Sequence, residues 1–119
     1  MAKPPETQRL DLLRGTLDML ILRTLRWGPQ HGHGIGQAIL AGSDDRLKVE
    51  TGSLYPALHR LVKRGWLKAE WGVSDANQRA KFYQLTAAGK AQLVREESRW
   101  AEMVAAIERI MNPAEEGSD

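Results

Sequence analysis

A chain of 119 residues with 42% hydrophobic content and a mean hydropathy of -0.45 holds enough apolar material for one core and too little for two. It contains no cysteine, which excludes disulfides and thiolate chemistry and is compatible with a reducing compartment. The net charge is only +2, but residues 46–83 carry eight Lys/Arg against three Asp/Glu and residues 84–119 carry four against seven, so a basic centre precedes an acidic end.

No run approaches the ~18 apolar residues that a membrane span needs, and the opening MAKPPETQR has no signal-peptide core, so a cytoplasmic protein with no membrane contact is expected. The histidines stand at His31, His33 and His59, with no nucleophile, paired carboxylate or third metal ligand beside them. An enzyme, a cofactor and a metal are therefore not expected.

Residues 1–8 hold two prolines and polar side chains and read as a flexible arm. Residues 9–27 place Leu10, Leu13, Leu17, Leu20, Ile21 and Leu25 at helical spacing, with Asp11 near one end and Arg23 and Arg26 near the other. Gly28-Pro29 ends this core helix, and a Gly-rich turn leads into a second helix over residues 34–40. The glycines at 32, 34 and 36 superficially resemble a phosphate-binding loop, but a Leu-rich helix precedes them where a dinucleotide fingerprint needs a strand. They are read as a turn. After the polar loop GSDDR, residues 47–49 are a candidate for one short strand.

The stretch TGSLYPALHRLVKRGW at 51–66 is the most specific in the chain. As a helix it gathers Leu54, Ala57, Leu58 and Leu61 into one stripe and turns Gly52, Pro56, His59 and Lys63 away from it. Ser53, Arg60 and Arg64 flank the stripe on one side, and Tyr55 and Val62 on the other. Because proline fits best in a first turn, the cap is expected at Thr51, Gly52 or Ser53. A hydroxyl, a Tyr, a His and several cations on a helix with its N-terminus presented suit phosphates and base edges in a major groove.

Two alternating runs follow, 67–73 and 79–85, joined by the turn SDANQ. The first sets Leu67, Ala69, Trp71 and Val73 on one face, and the second sets Lys81, Tyr83 and Leu85 opposite Ala80, Phe82 and Gln84. Three helices and then a hairpin with Arg79 and Lys81 near its tip is the order of a winged helix-turn-helix over residues 9–85, mainly α with a small β-hairpin. Trp27, Trp66 and Trp71 are assigned to core or hairpin packing.

Thr86 caps a last helix over 87–111. Leu93, Glu97, Trp100, Val104, Ile107 and Met111 form a seam at alternating spacings of four and three, and Val94, Ala101 and Ile110 widen it. Such a helix outruns a domain this small, so its spare apolar surface is expected to make a homodimer through Leu93, Trp100, Val104, Ile107 and Met111. Residues 112–119 form an acidic tail expected to be disordered.

With these segments in place, the chain resembles a small PadR-like transcriptional regulator from about residue 13 to residue 100. The resemblance is carried by LRGTLDMLILRTL, GPQHGHGIGQAI, TGSLYPALHRLVKRGWL and RAKFYQLTAAGK. It implies that the LYPAL helix is the recognition helix, that the wing assists, and that the long C-terminal helix makes the dimer. It also implies that some members sense small aromatic or hydrophobic compounds near the dimer helix, which would assign Trp100, Glu97 and Val104 to an effector site. Two positions depart from the family pattern: His33 replaces an aromatic hydroxyl in the Gly-rich turn, and Phe82 precedes Tyr83 where two tyrosines are frequent.

The expected function is a sequence-specific DNA-binding transcriptional regulator, a homodimeric repressor on a palindromic operator. Ser53, Tyr55, His59, Arg60, Lys63 and Arg64 are its expected DNA contacts, with Arg79 and Lys81 from the wing. The competing expectation is a winged helix used only as a protein-interaction module. Steep salt dependence of duplex binding separates the two.

Overall fold

The computed structural model describes residues 14–114. The arm expected at 1–8, the first turn of the first helix and the tail from 115 onward lie outside the described residues. The elements run α1 (Arg14–Thr24), a 3-10 turn (Leu25–Trp27), β1 (Gln30–His31), α2 (Gly32–Gly42), α3 (Thr51–Lys63), β2 (Leu67–Val73), β3 (Arg79–Leu85) and α4 (Ala87–Met111).

The core forms where the apolar stripes of the first three helices meet the base of the sheet. Leu17, Ile21, Leu22 and Leu25 from the first helix and its 3-10 turn pack with Ile35 and Ile39 of α2 and with Leu54, Ala57, Leu58 and Leu61 of α3. Leu67, Tyr83 and Leu85 close it from the sheet, and Leu93 closes it from α4. The tightening of the helix to a 3-10 turn leaves Leu25 inward and carries Trp27 outward. Trp27 is 85% exposed, which corrects its assignment to packing.

The sheet has three antiparallel strands in the order β1-β3-β2. The third strand comes from Gln30–His31, which pairs with Tyr83 and Phe82, and not from residues 47–49. His31 is fixed there because it also caps α2, its Nδ1 accepting the Gly34 N–H at 3.0 Å. Leu47 and Val49 pack against the core without joining a ladder.

The start of α3 also differs from the expectation. Glu50 is the cap, and the Ser53 and Leu54 N–H groups both donate to its carbonyl at 2.9 Å. Pro56 therefore sits inside the helix, where it removes only the bond to the carbonyl of Gly52, an exposed residue that solvent reaches. The other end follows the Schellman pattern: Gly65, at φ +80°, bonds back to the Val62 carbonyl, and the Trp66 N–H reaches the Leu61 carbonyl at 3.0 Å.

That turn is also where α4 begins. Thr86 Oγ1 accepts the Gly89 N–H at 3.0 Å and donates to the Gly65 carbonyl at 2.6 Å, while the Thr86 N–H donates to the Trp66 carbonyl at 3.1 Å. Gly89 lies so close to the Trp66 carbonyl that a Cβ there would collide with backbone. Only Gly89, Gln92 and Leu93 of α4 are buried, all in its first two turns. The helix continues for a total of 25 residues, about 37 Å, and leaves the body of the molecule. No described helix is long and apolar enough to cross a membrane.

Candidate nucleic-acid interface

The outer face of α3 and the tip of the β2–β3 hairpin make the candidate interface. Burial of Leu54, Ala57, Leu58 and Leu61 fixes the rotation of α3, so Ser53, Tyr55, His59 and Lys63 are exposed, with Arg64 at its C-cap. No acidic residue lies between Thr51 and Gly65. The outer face therefore carries no acid along its length, and its cations gather at the C-terminal end of the helix in Arg60, Lys63 and Arg64.

Two of the expected contacts have internal partners. Arg60 reaches across to α1, where its Nη2 donates to Asp18 Oδ1 at 2.9 Å in a half-buried ion pair. The pair ties α3 to the helix behind it. Tyr55 lays its ring on Gly32, and a Cβ at that glycine would come within 2.7 Å of the phenol oxygen. The Tyr55 ring therefore packs α3 against the start of α2 while staying 45% exposed.

Tyr83 lies beneath this corner. Burial first, and the Tyr55 phenol second, hold its pKa above the ordinary value of 10.0. It stays a neutral donor through the physiological range.

On the hairpin, Trp71 pairs with Lys81 and Val73 with Arg79, so these four side chains share one face of the tip. The tip turn is closed by the Ser74 N–H to the Gln78 carbonyl at 2.8 Å, with Asn77 left-handed at φ +59°. Arg79 and Lys81 are both exposed, and both lie over the Trp71 ring. Arg64 in turn lies over Trp66, 5.2 Å from its centroid.

The residues named for an effector and a dimer divide differently. Glu97 accepts a 2.7 Å bond from Arg23 of α1, which bends it toward the body. Trp100 lines a cleft of about 280 Å³ between α1 and α4 with Thr16, Met19, Glu96, Arg99 and Met103, whereas neither Glu97 nor Val104 lines it. Trp100, Val104, Ile107 and Met111 are exposed on the free part of α4, and Met103 and Ile110 extend their stripe. Leu93 is a correction: it is 3% exposed inside the domain's own core and cannot also face a partner.

Sequence reasoning missed Asp18 and the arrangement around Trp71. Asp18 had a signal, a charge within the apolar stripe of Leu17, Ile21 and Leu22, which calls for a buried cation. For Trp71, pairing the two alternating runs through their turn puts the indole opposite Lys81.

This is the geometry of a winged helix-turn-helix, and its relatives are regulators of transcription. The model of the PadR-like transcriptional regulator family matches residues 21–95, and the chain belongs to that family. It is 34% identical over 108 residues to an uncharacterized protein of Lysinibacillus sphaericus, covering 90% of this chain and 98% of that one. Among solved structures, a PadR-like transcription factor from Bacteroides fragilis is 33% identical, with a TM-score of 0.66 over 82% of this chain and 91% of that one. A transcriptional regulator from Clostridium thermocellum is 27% identical, with a TM-score of 0.74 over 81% and 93%. A PadR family regulator from Eggerthella lenta is 28% identical, with a TM-score of 0.72 over 85% and 86%. The chain is a transcriptional regulator and not an enzyme.

Proposed function

We propose that this regulator acts as a homodimeric repressor in the cytoplasm, with α3 in the major groove of each half of a palindromic operator and the wing on the adjacent backbone. The observation that carries the proposal is the outer face of α3. It exposes Ser53, His59, Lys63 and Arg64 with no acid between them, beside a wing that exposes Arg79 and Lys81. The exposed stripe from Trp100 to Met111 supports the dimer, because a soluble monomer rarely leaves so continuous an apolar surface uncovered. A small flat aromatic or hydrophobic effector would enter the cleft between α1 and α4. Tryptophan fluorescence quenched by a planar dye in wild type, and no longer quenched by it in Trp100→Phe, is the measurement for that step.

The test of DNA binding is fluorescence anisotropy on labelled duplexes over a range of salt. Lys63 is assigned to a phosphate, so Lys63→Ala should weaken all sequences alike and flatten the salt slope by about 1 for each protomer, about 2 for the dimer. His59 is assigned to a base edge, so His59→Ala should cost ~1–3 kcal/mol on the operator and little on random duplex. Binding without salt dependence would overturn the proposal and favour a protein-interaction module.

A further inference from the structure

The β2–β3 face that carries Trp71 changes character along its length. At the base it presents Leu67, Ala69, Tyr83 and Leu85 to the core, and beyond them it presents Trp71, Val73, Arg79 and Lys81 to solvent. The ladder and the buried base already hold the hairpin together, so the fold makes no use of a large aromatic ring past the edge of the core. Trp71 is nevertheless there, 60% exposed.

What the ring touches gives it a use. The Arg79 guanidinium carbon lies 4.6 Å from its centroid and the Lys81 Nζ lies 5.6 Å from it, both within the range of a cation–π contact. Lys81 is the directly opposed residue in the register and Arg79 the diagonal one, the positions from which long side chains reach a cross-strand ring. Glu70 stands on the other face of the strand, so no acid of the ladder neutralises the pair. Two cations held close together repel, and the negative face of the indole offsets that repulsion.

We propose that Trp71 is the positioning residue of the wing: it holds Arg79 and Lys81 as one preset pair of cations for neighbouring phosphates of duplex DNA. This rests on the DNA-binding reading above. Long cationic side chains lose rotamer freedom when they are fixed on a ligand, and an indole that has fixed them beforehand removes part of that loss from the binding step. The cations meet the phosphates, and Trp71 acts through them.

The experiment is a mutant cycle read by duplex anisotropy over a range of salt, using wild type, Trp71→Leu, Trp71→Phe, Arg79→Ala/Lys81→Ala and the triple variant. Trp71→Leu should weaken binding by about tenfold, the cost of fixing two such side chains. Its salt slope should stay near that of wild type, since both charges remain. Trp71→Phe, which keeps an aromatic face, should recover most of the affinity. Arg79→Ala/Lys81→Ala should flatten the slope by about 2 for each protomer, about 4 for the dimer, and adding Trp71→Leu to it should change nothing further.

An equal loss from Trp71→Leu with and without the two cations would overturn the proposal, because the indole would then act through the fold or through its own DNA contact. So would a Trp71→Leu variant that binds as wild type does. Wild-type protein with no salt-dependent duplex binding would remove the DNA-binding reading itself, and that result is in hand before any variant is made.

Discussion

The inner body and the outer half of α4 are built from similar apolar residues and treat them in opposite ways. In the body, Ile21, Leu22, Ile35, Leu58, Leu61 and Leu67 are fully buried, and among the described residues no buried side-chain polar atom lacks a partner. From residue 98 to residue 111 every side chain is exposed, Trp100, Met103, Val104, Ile107, Ile110 and Met111 among them. The same periodicity thus yields a closed core where other elements surround the helix and an open stripe where none does. Periodicity says which residues want burial, and only the surroundings say whether the chain itself supplies it.

The sharpest way to break this contrast is to charge the open stripe. If the stripe is the proposed dimer seam, Val104→Glu combined with Ile107→Glu should weaken self-association by a thousandfold or more, on the order of 4 kcal/mol, because the carboxylates would be desolvated in pairs across it. Sedimentation should show a monomer whose helical content is unchanged. Its melting temperature should no longer rise with protein concentration, as that of a dimer does. A wild-type protein that sediments as a monomer at tens of micromolar, or a doubly charged variant that still dimerises, would detach the stripe from assembly.

The body should respond in the opposite manner. Leu58 has no exposure at all, so Leu58→Ala should cost about 3 kcal/mol through lost contacts and the cavity left behind, read from the urea midpoint. In the monomeric background, Ile110→Ala should stay within about 0.5 kcal/mol, since its side chain is 78% exposed and meets no core there. Equal costs at the two positions would mean that α4 folds back on the body in solution.

Much of this architecture was legible from spacing alone. The stripe of Leu54, Ala57, Leu58 and Leu61, the register of Leu67–Val73 against Arg79–Leu85 and the Thr86 cap each rest on local geometry that a short window contains. What failed depends on distance. Gln30–His31 is too short to alternate, and it becomes a strand only because β3 has a free edge beside it. Asp18 and Arg60 stand 42 residues apart, and no local pattern joins them. Leu93 keeps the period of the seam, yet the edge of the domain falls between it and Trp100. Pro56 misplaced the cap because an exposed helix face with Gly52 four residues earlier tolerates a missing bond that a buried helix would not. Of the candidate interface, the exposed side chains of α3 could be read in advance. The internal partners of Arg60 and Tyr55 required the packed structure.

The smallest effect to test lies at the rim of the body, where Tyr83 meets Tyr55 beneath the candidate interface. Its folded pKa is raised above 10.0, by burial first and by Tyr55 second, so folding favours the neutral phenol. The stability this contributes is fully present below the ordinary pKa of 10.0 and is lost as pH rises from there through the higher folded value, because the unfolded chain gains from ionisation first. Melting temperatures of wild type and Tyr83→Phe should therefore run parallel from pH 7 to about pH 9 and separate above about pH 10, with wild type falling faster. Lysine and other tyrosine titrations affect both proteins, so the difference between the curves isolates Tyr83. Tyr55→Phe should narrow that difference without abolishing it, since burial is the larger cause. Parallel curves through pH 11 would mean that solvent reaches the Tyr83 phenol freely, and that the body is looser at this corner than at the α1–α3 core behind it.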